Sequence, residues 1–455
     1  MREAAVAGLM CALIAALMGW PMPLDPSGVA LGGGGGDFNS IAWGLWARPM
    51  GEVSTIFHPE GGVLIVSDPL EVWLLAPVTA LFGAVATHNL WQLLHFGLAG
   101  GLAYALCREQ ASRAGAACGA ALFAFSGVMV GAAHNGNADV TPLYWLPAVA
   151  LLRHRPWLAG LAAGVGAWCN PYVGLGCAAV LAFTVDWRSM WKAAIPAGIL
   201  AGAYLGVMRW SLAQPGSLVR KVTVGTGNGA SLDQLFWAVE PTEHLQGTVD
   251  FYYLGLLGVG LALLGARQDR WLGLLALGVT LALGQVLMVD NAPWMVGSSR
   301  FALPMKWLSQ LPGLESMQLH YRFAAMASLA LAVWASRGAD RLPARLRGVM
   351  PMLVLADMLR VGAPLLEGGA VLDSGVCEAL EGESPGPVLN IPARMDEQWL
   401  LEQTCHGRPV AASINRELGP PITRAIENDD TDALADMGFR WLVLHTEAGM
   451  ALIEL

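Results

Sequence analysis

The feature that most restricts this chain is an alternation. Apolar stretches of about one helix each follow one another through most of its 455 residues, separated by short polar turns, and the basic residues gather on every second turn. Arg2, then Arg108 and Arg113, Arg153 and Arg155, Arg188 and Lys192, Arg267 and Arg270, and finally Arg337, Arg341, Arg345 and Arg347 fall on one side when the stretches are threaded through a bilayer. Only helices or closed barrels satisfy their backbone groups inside hydrocarbon, and basic turns stay on the cytoplasmic side. The chain therefore reads as an α-helical polytopic protein of the plasma membrane, with its amino terminus cytoplasmic. Spans are expected near 3–21, 89–106, 115–133, 139–152, 157–171, 173–187, 193–209, 251–266, 271–288, 322–336 and 348–365, about eleven transmembrane helices in all.

Composition agrees: 55% of residues are hydrophobic, 13% are charged and the mean hydropathy is +0.50. The net charge of −9 comes largely from the acidic carboxy-terminal part, and no basic groove appears, which excludes a nucleic-acid partner. The first apolar segment has the length of a signal peptide, but "PMPLDPSG" is a poor cleavage site, so it reads as an uncleaved span. "DPLEVWLLAPVTALFGAVA" (68–86) is apolar enough to be a further span, but counting it would invert every later turn. It reads instead as a helix in the outer interface, anchored by Trp73 and interrupted at Pro77.

Two regions follow: a membrane domain, 1–365, with a long first outer loop at 22–88, and a small extracytoplasmic α/β domain, 366–455, in which short β-branched runs alternate with polar helical stretches. The outer side also carries the turn "HNGNAD" (134–139) and loops 210–250 and 289–321. Cys377 and Cys405 are the only cysteines of the tail, and on an oxidising side a disulfide between them is expected.

The motifs on this layout are "GGDFNSIAWGLW" in the first outer loop, "PLEVWLLAPVTALFG", "AFSGVMVGAAHNGNADVTPLYWLPAVALL", "GVGAWCNPYVGL", "FYYLGLLGVGLALLG", "LPGLESMQLHYRFAAMASLALAV", and the closing "HGRPVAASINR" and "MGFRWLVLH". In order and spacing they resemble the GT-C superfamily of polytopic membrane glycosyltransferases, over nearly the whole chain, and the last two are similar to the tails of bacterial GT-C-like proteins. The resemblance implies a GT-C-like fold and transfer of a sugar from a polyprenyl-phosphate donor to an envelope lipid, glycan or protein on the outer face, with membrane lipids as the other partners. It also implies that the acid of the first outer loop, here Asp37, is the catalytic base. Asp37 has no adjacent second acid, so a divalent cation is left open, with Asp37, His58 and Glu60 as candidate ligands. A flippase of lipid-linked saccharides, or a non-catalytic scaffold in polysaccharide assembly, are the alternative readings.

Such a transfer needs a carboxylate to take the acceptor proton and positive charge for the departing phosphate. Asp37 follows five glycines that allow close backbone approach to a ligand; the competing reading is a cap on the helix that follows. Glu60, beside His58, is a second acid of that loop or part of a plain turn. His134, Asn135, Asn137 and Asp139 can bond sugar hydroxyls, or Asp139 can cap the next helix. Arg322, opening a span, and Arg209 are the leading phosphate contacts, followed by Arg220, Lys221, Arg300 and Lys306. Trp43 and Trp46 can stack on a sugar, while Asn170 and Tyr172 either line a donor cavity or satisfy backbone freed by Pro171. Asp37 is expected beside at least one of these cations, at the mouth of a cavity.

Reporter fusions at the turns 108–113 and 267–270 check the topology. Both turns should report the cytoplasm, and an external signal at either one shows that 68–86 crosses the membrane.

Overall fold

The computed structural model describes the chain except residues 34–36, 49, 66–67, 215, 218–228, 238–241, 245–247, 311–316, 318, 363–365, 372–374, 393–395, 412–417 and 447–448. In chain order the helices of its first part are α1 (Arg2–Met18), α2 (Phe38–Ala47), α3 (Pro69–Leu74), α4 (Ala76–Arg108), α5 (Arg113–Ala124), α6 (Gly127–His134), α7 (Trp145–Leu151), α8 (Pro156–Cys169), α9 (Pro171–Thr184), α10 (Met190–Ala213), α11 (Leu232–Phe236), α12 (Leu256–Gly265), α13 (Arg270–Ala282), α14 (Met305–Leu308), α15 (Ala324–Asp340) and α16 (Ala344–Gly362). Every segment expected to span contains helix. Among the described residues, Ala76–Arg108 and Trp187–Ala213 are each long and apolar enough to cross a membrane, and α5 with α6, bent by 42°, makes a third if taken as one span. The other helices fall short of the ~20 residues of an upright span, so helix length alone does not establish eleven crossings.

Local chemistry sets the helix starts. Asn170 adopts an extended conformation after α8 and its side chain accepts from Tyr172 N at 2.9 Å, while Pro171 takes the first position of α9, where its missing N–H costs nothing. The Asp269 carboxylate likewise accepts from Trp271 N at the start of α13. The centre of the bundle is α15, in which every residue except Arg337 and Asp340 is buried. Its Gly338 and the facing Gly265 of α12 sit so close to the opposing backbone that a methyl group at either would overlap a carbonyl oxygen. Small residues let the two helices meet in this way without a wide side-chain layer.

The 68–86 segment is α3 followed by the first turns of α4. Its side chains Trp73, Leu74, Leu81 and Phe82 are exposed, and its second half is continuous with the long apolar helix Ala76–Arg108. The break differs from expectation. Pro77 lies in the first turn of α4, where proline is tolerated, and the chain bends instead at Gly83, whose φ of +80° only glycine adopts readily.

The segment between α1 and α3 and the tail share a core. Val29–Ala30 pairs antiparallel with Gly369–Ala370, and Thr55 and His58 bond the backbone of Val410. The tail sheet runs Val388–Ile391, Trp441–Thr446, Gly449–Glu454, the first pair parallel and the second antiparallel. Around it lie α17 (Val376–Leu380), α18 (Asp396–His406), α19 (Pro420–Glu427) and α20 (Thr431–Asp436). Trp43, Ile56 and Phe57 of the loop pack with Val388, Trp399 and Val443 of this unit. Trp43 is fully buried and donates its indole N–H to Gln403 Oε1 at 2.6 Å, so it anchors the loop to the tail and cannot stack on a sugar.

Cys377 and Cys405 form a disulfide, with Cα atoms 6.0 Å apart. Alkylation without reductant should leave both unlabelled in the intact mass. Replacing both with serine should destabilise the tail by ~3 kcal/mol, the chain-entropy scale for a loop of this order. Two free thiols would refute the bond.

Candidate active site

The site is built where the loop between α1 and α2 docks onto the end of α6. Gly32 and Gly33 take φ of +82° and +92°, and a side chain on Gly32 would strike the backbone of Ala133 and His134. Gly34, Gly35 and Gly36 lie outside the described residues. Asp37 N then donates to Asn135 O at 3.0 Å, and Gly136, at φ +71°, lies flat beneath Phe38. From below, His88 Nε2 contacts Gly136 O at 2.9 Å, its ring edge-on to Phe38 at 4.8 Å, and the Gln92 amide donates to Ala133 O at 3.3 Å.

Asp37 starts α2, but its carboxylate accepts no capping hydrogen bond from that helix. It is bonded instead by the Asn137 side chain, and it feels Asp139 and Arg322. Burial and then Asp139 push the Asp37 carboxyl upward from its ordinary value, against the opposing pull of Arg322 and the Asn137 bond. Asp139 is buried and its Oδ1 has no partner among the described residues, so it does not cap the turn Pro142–Tyr144, which begins after Thr141. Arg322 lies in the 3₁₀ turn His320–Phe323 that leads into α15, its guanidinium 5.2 Å from the centre of the Tyr172 ring and its Nε without a partner among the described residues. Tyr172 is fixed in turn by Leu319 N, which donates to its hydroxyl at 2.8 Å. The cavity between Tyr172 and Arg322 measures only about 10 Å³. A wider cavity, about 680 Å³, lies elsewhere, around Arg2, Glu3, Tyr104 and Arg113.

The structure thus brings together Asp37, Asn135, Asn137, Asp139 and Arg322, with His134 half-buried at the end of α6. Other candidates lie apart. His58 packs edge-on against Phe439 at 5.0 Å and the exposed Glu60 lies beside Gly419, so both face the tail unit rather than forming a ligand pair with Asp37. Arg209, on α10, and Arg300 and Lys306 are exposed; Arg220 and Lys221 lie outside the described residues. The sequence reading missed Asp68 and Glu71 of α3, both buried, with Asp68 in electrostatic reach of Asp139. Their signal was two acids in an otherwise apolar helix, a costly arrangement unless each finds a partner.

No family model matches the chain, and no curated protein matches it. Among solved structures it is similar to the arabinofuranosyltransferase AftD from Mycobacteria, with a TM-score of 0.60 and 13% identity over 98% of this chain and 35% of that one. It is also similar to the oligosaccharyltransferase of Archaeoglobus fulgidus in its apo form, with a TM-score of 0.54 and 11% identity over 97% of this chain and 69% of that one. The chain spans about a third of the length of AftD. Both neighbours have the GT-C fold, and the fold of this chain is GT-C-like.

Proposed function

We propose that this protein is an integral-membrane glycosyltransferase that moves a sugar from a polyprenyl-phosphate donor to an acceptor on the outer face of the membrane. The observation that carries this reading is the Asp37 carboxylate, which leaves its own helix uncapped and shares its surroundings with Asp139 and Arg322. Asp37 takes the acceptor hydroxyl proton as that oxygen attacks the anomeric carbon, and the bond from the anomeric carbon to the donor phosphate oxygen breaks. Arg322 meets the charge of the departing phosphate; a guanidinium suits this because its fork bonds two oxygens at once. Asn135, Asn137 and His134 stand where sugar hydroxyls can be bonded. Asp37 and Asp139 are hard oxygen donors, and the partnerless Asp139 Oδ1 suits them to holding a divalent cation such as Mg²⁺ or Mn²⁺. Bound there, it would add positive charge near the phosphate. The similarity to AftD and to the archaeal oligosaccharyltransferase supports the same reading at the level of fold.

Deleting the protein should cause a lipid-linked sugar to accumulate. The wild-type chain should clear it, and Asp37→Asn, which keeps size but cannot take a proton, should clear it at least ~100-fold more slowly while remaining folded. Normal clearance by Asp37→Asn favours the scaffold or flippase reading.

The rate should also fall on the acid side. The base works ionised, and burial with Asp139 nearby makes ionisation harder, so the acid limb should lie above the ~3.9 of a free aspartate. Asp139→Asn removes the repulsion, so the limb of its residual rate should move to lower pH. A limb that stays put or moves up contradicts the assignment of Asp37.

A further inference from the structure

Beside the candidate active site, α3, α4, α7 and α8 enclose a second polar group that the proposed sugar transfer does not use. Asp68, Glu71 and Cys169 are all buried, and one ligand atom from each lies within 4.8 Å of the others. Their environment is organised. Glu71 Oε2 accepts from the Trp91 indole N–H and contacts His95 Nε2 at 2.8 Å, while Glu71 Oε1 accepts from the Tyr144 hydroxyl at 2.5 Å and faces Cys169 Sγ at 3.8 Å. His95 Nδ1 lies 2.6 Å from Thr141 Oγ1, whose own proton goes to Ala138 O. Three side chains from the surrounding helices thus orient one carboxylate, as second-layer donors orient a metal ligand.

Two atoms aimed into the group are left over. Asp68 Oδ1 caps α3 by accepting from Glu71 N at 3.0 Å, but Asp68 Oδ2 has no hydrogen-bond donor among the described residues, although the residue is 1% exposed. The Trp145 indole N–H lies against the Cys169 sulfur and meets no other acceptor among the described residues. An N–H in that place stabilises a thiolate.

We propose that Asp68, Glu71 and Cys169 form a metal site for a divalent cation of borderline softness such as Zn²⁺, separate from the carboxylates at Asp37 and Asp139. One sulfur and two carboxylate oxygens match such an ion, and bonds of ~2.0–2.3 Å fit among atoms so spaced. The ion binds the thiolate and the two carboxylates, so loading it releases whatever protons these groups carry.

The test uses the full-length protein purified in lipid nanodiscs and dialysed against Zn²⁺ or Co²⁺. The proposal requires metal retained by the wild type and, with Co²⁺, a thiolate-to-cobalt charge-transfer band. Cys169→Ser should lose that band. Asp37→Asn should keep it, which separates this centre from any cation at the candidate active site, and it should do so whether or not the glycosyltransferase reading stands. Because Cys169→Ser can fail to fold, the wild-type spectrum decides independently. Cobalt bound without a thiolate band, no retained metal, or a band that survives in folded Cys169→Ser overturns the proposal.

Discussion

The docking of the loop between α1 and α2 on the end of α6 is the contact on which the rest of the site depends. It includes a backbone hydrogen bond, Asp37 N to Asn135 O, and two close approaches, Gly136 under Phe38 and Gly32 against Ala133 and His134. The His88 ring against Phe38 and the Asn137 side chain on the Asp37 carboxylate add to it. Glycine at 32 and at 136 is required because a methyl group at either position would push the two backbones apart. Once the loop is seated, Asp37 can face neither its own helix nor solvent alone, and its carboxylate is left to Asn137, Asp139 and Arg322.

The positive charge arrives from the other end of the fold. Arg322 stands at the entrance to α15, the helix buried on all sides, and is fixed against Tyr172 at the start of α9. Packing therefore decides where the guanidinium stands: α15 closes on α12 through Gly338 and Gly265, and α9 begins where Asn170 and Pro171 start it. Two acids brought together in a partly dry place repel each other, and the nearby arginine offsets that cost. The tail contributes from a third direction, since Gln403 holds Trp43 and with it the helix that Asp37 opens.

Much of this was legible in the sequence because it is local. Apolar stretches located the helices, and the two lone tail cysteines announced their bond. Asp37, the 134–139 turn and Arg322 were recognisable because polar groups are rare in such a chain. What could not be read depends on long-range contact. Trp43 looked like an exposed aromatic near an acid, and only Gln403, 360 residues away, makes it a core residue. His58 and Glu60 looked like partners of Asp37 because they share its loop, but the loop folds them onto Phe439 and Gly419. Asp68 and Glu71 were hidden for the opposite reason: their helix was read from its apolar residues, and the partners that make two buried acids tolerable come from α4, the turn Pro142–Tyr144 and α8.

The central claim is that loop, turn and α15 entrance form one site for a lipid phosphate. A cryo-EM map of the protein in nanodiscs with a polyprenyl monophosphate tests it most directly. The account predicts phosphate density on the Arg322 guanidinium, on the same face as the Asp37 and Asp139 carboxylates, with the lipid tail leaving between helices toward the bilayer. Phosphate bound at the Arg2, Glu3 and Arg113 cavity instead, with nothing at Arg322, would contradict it.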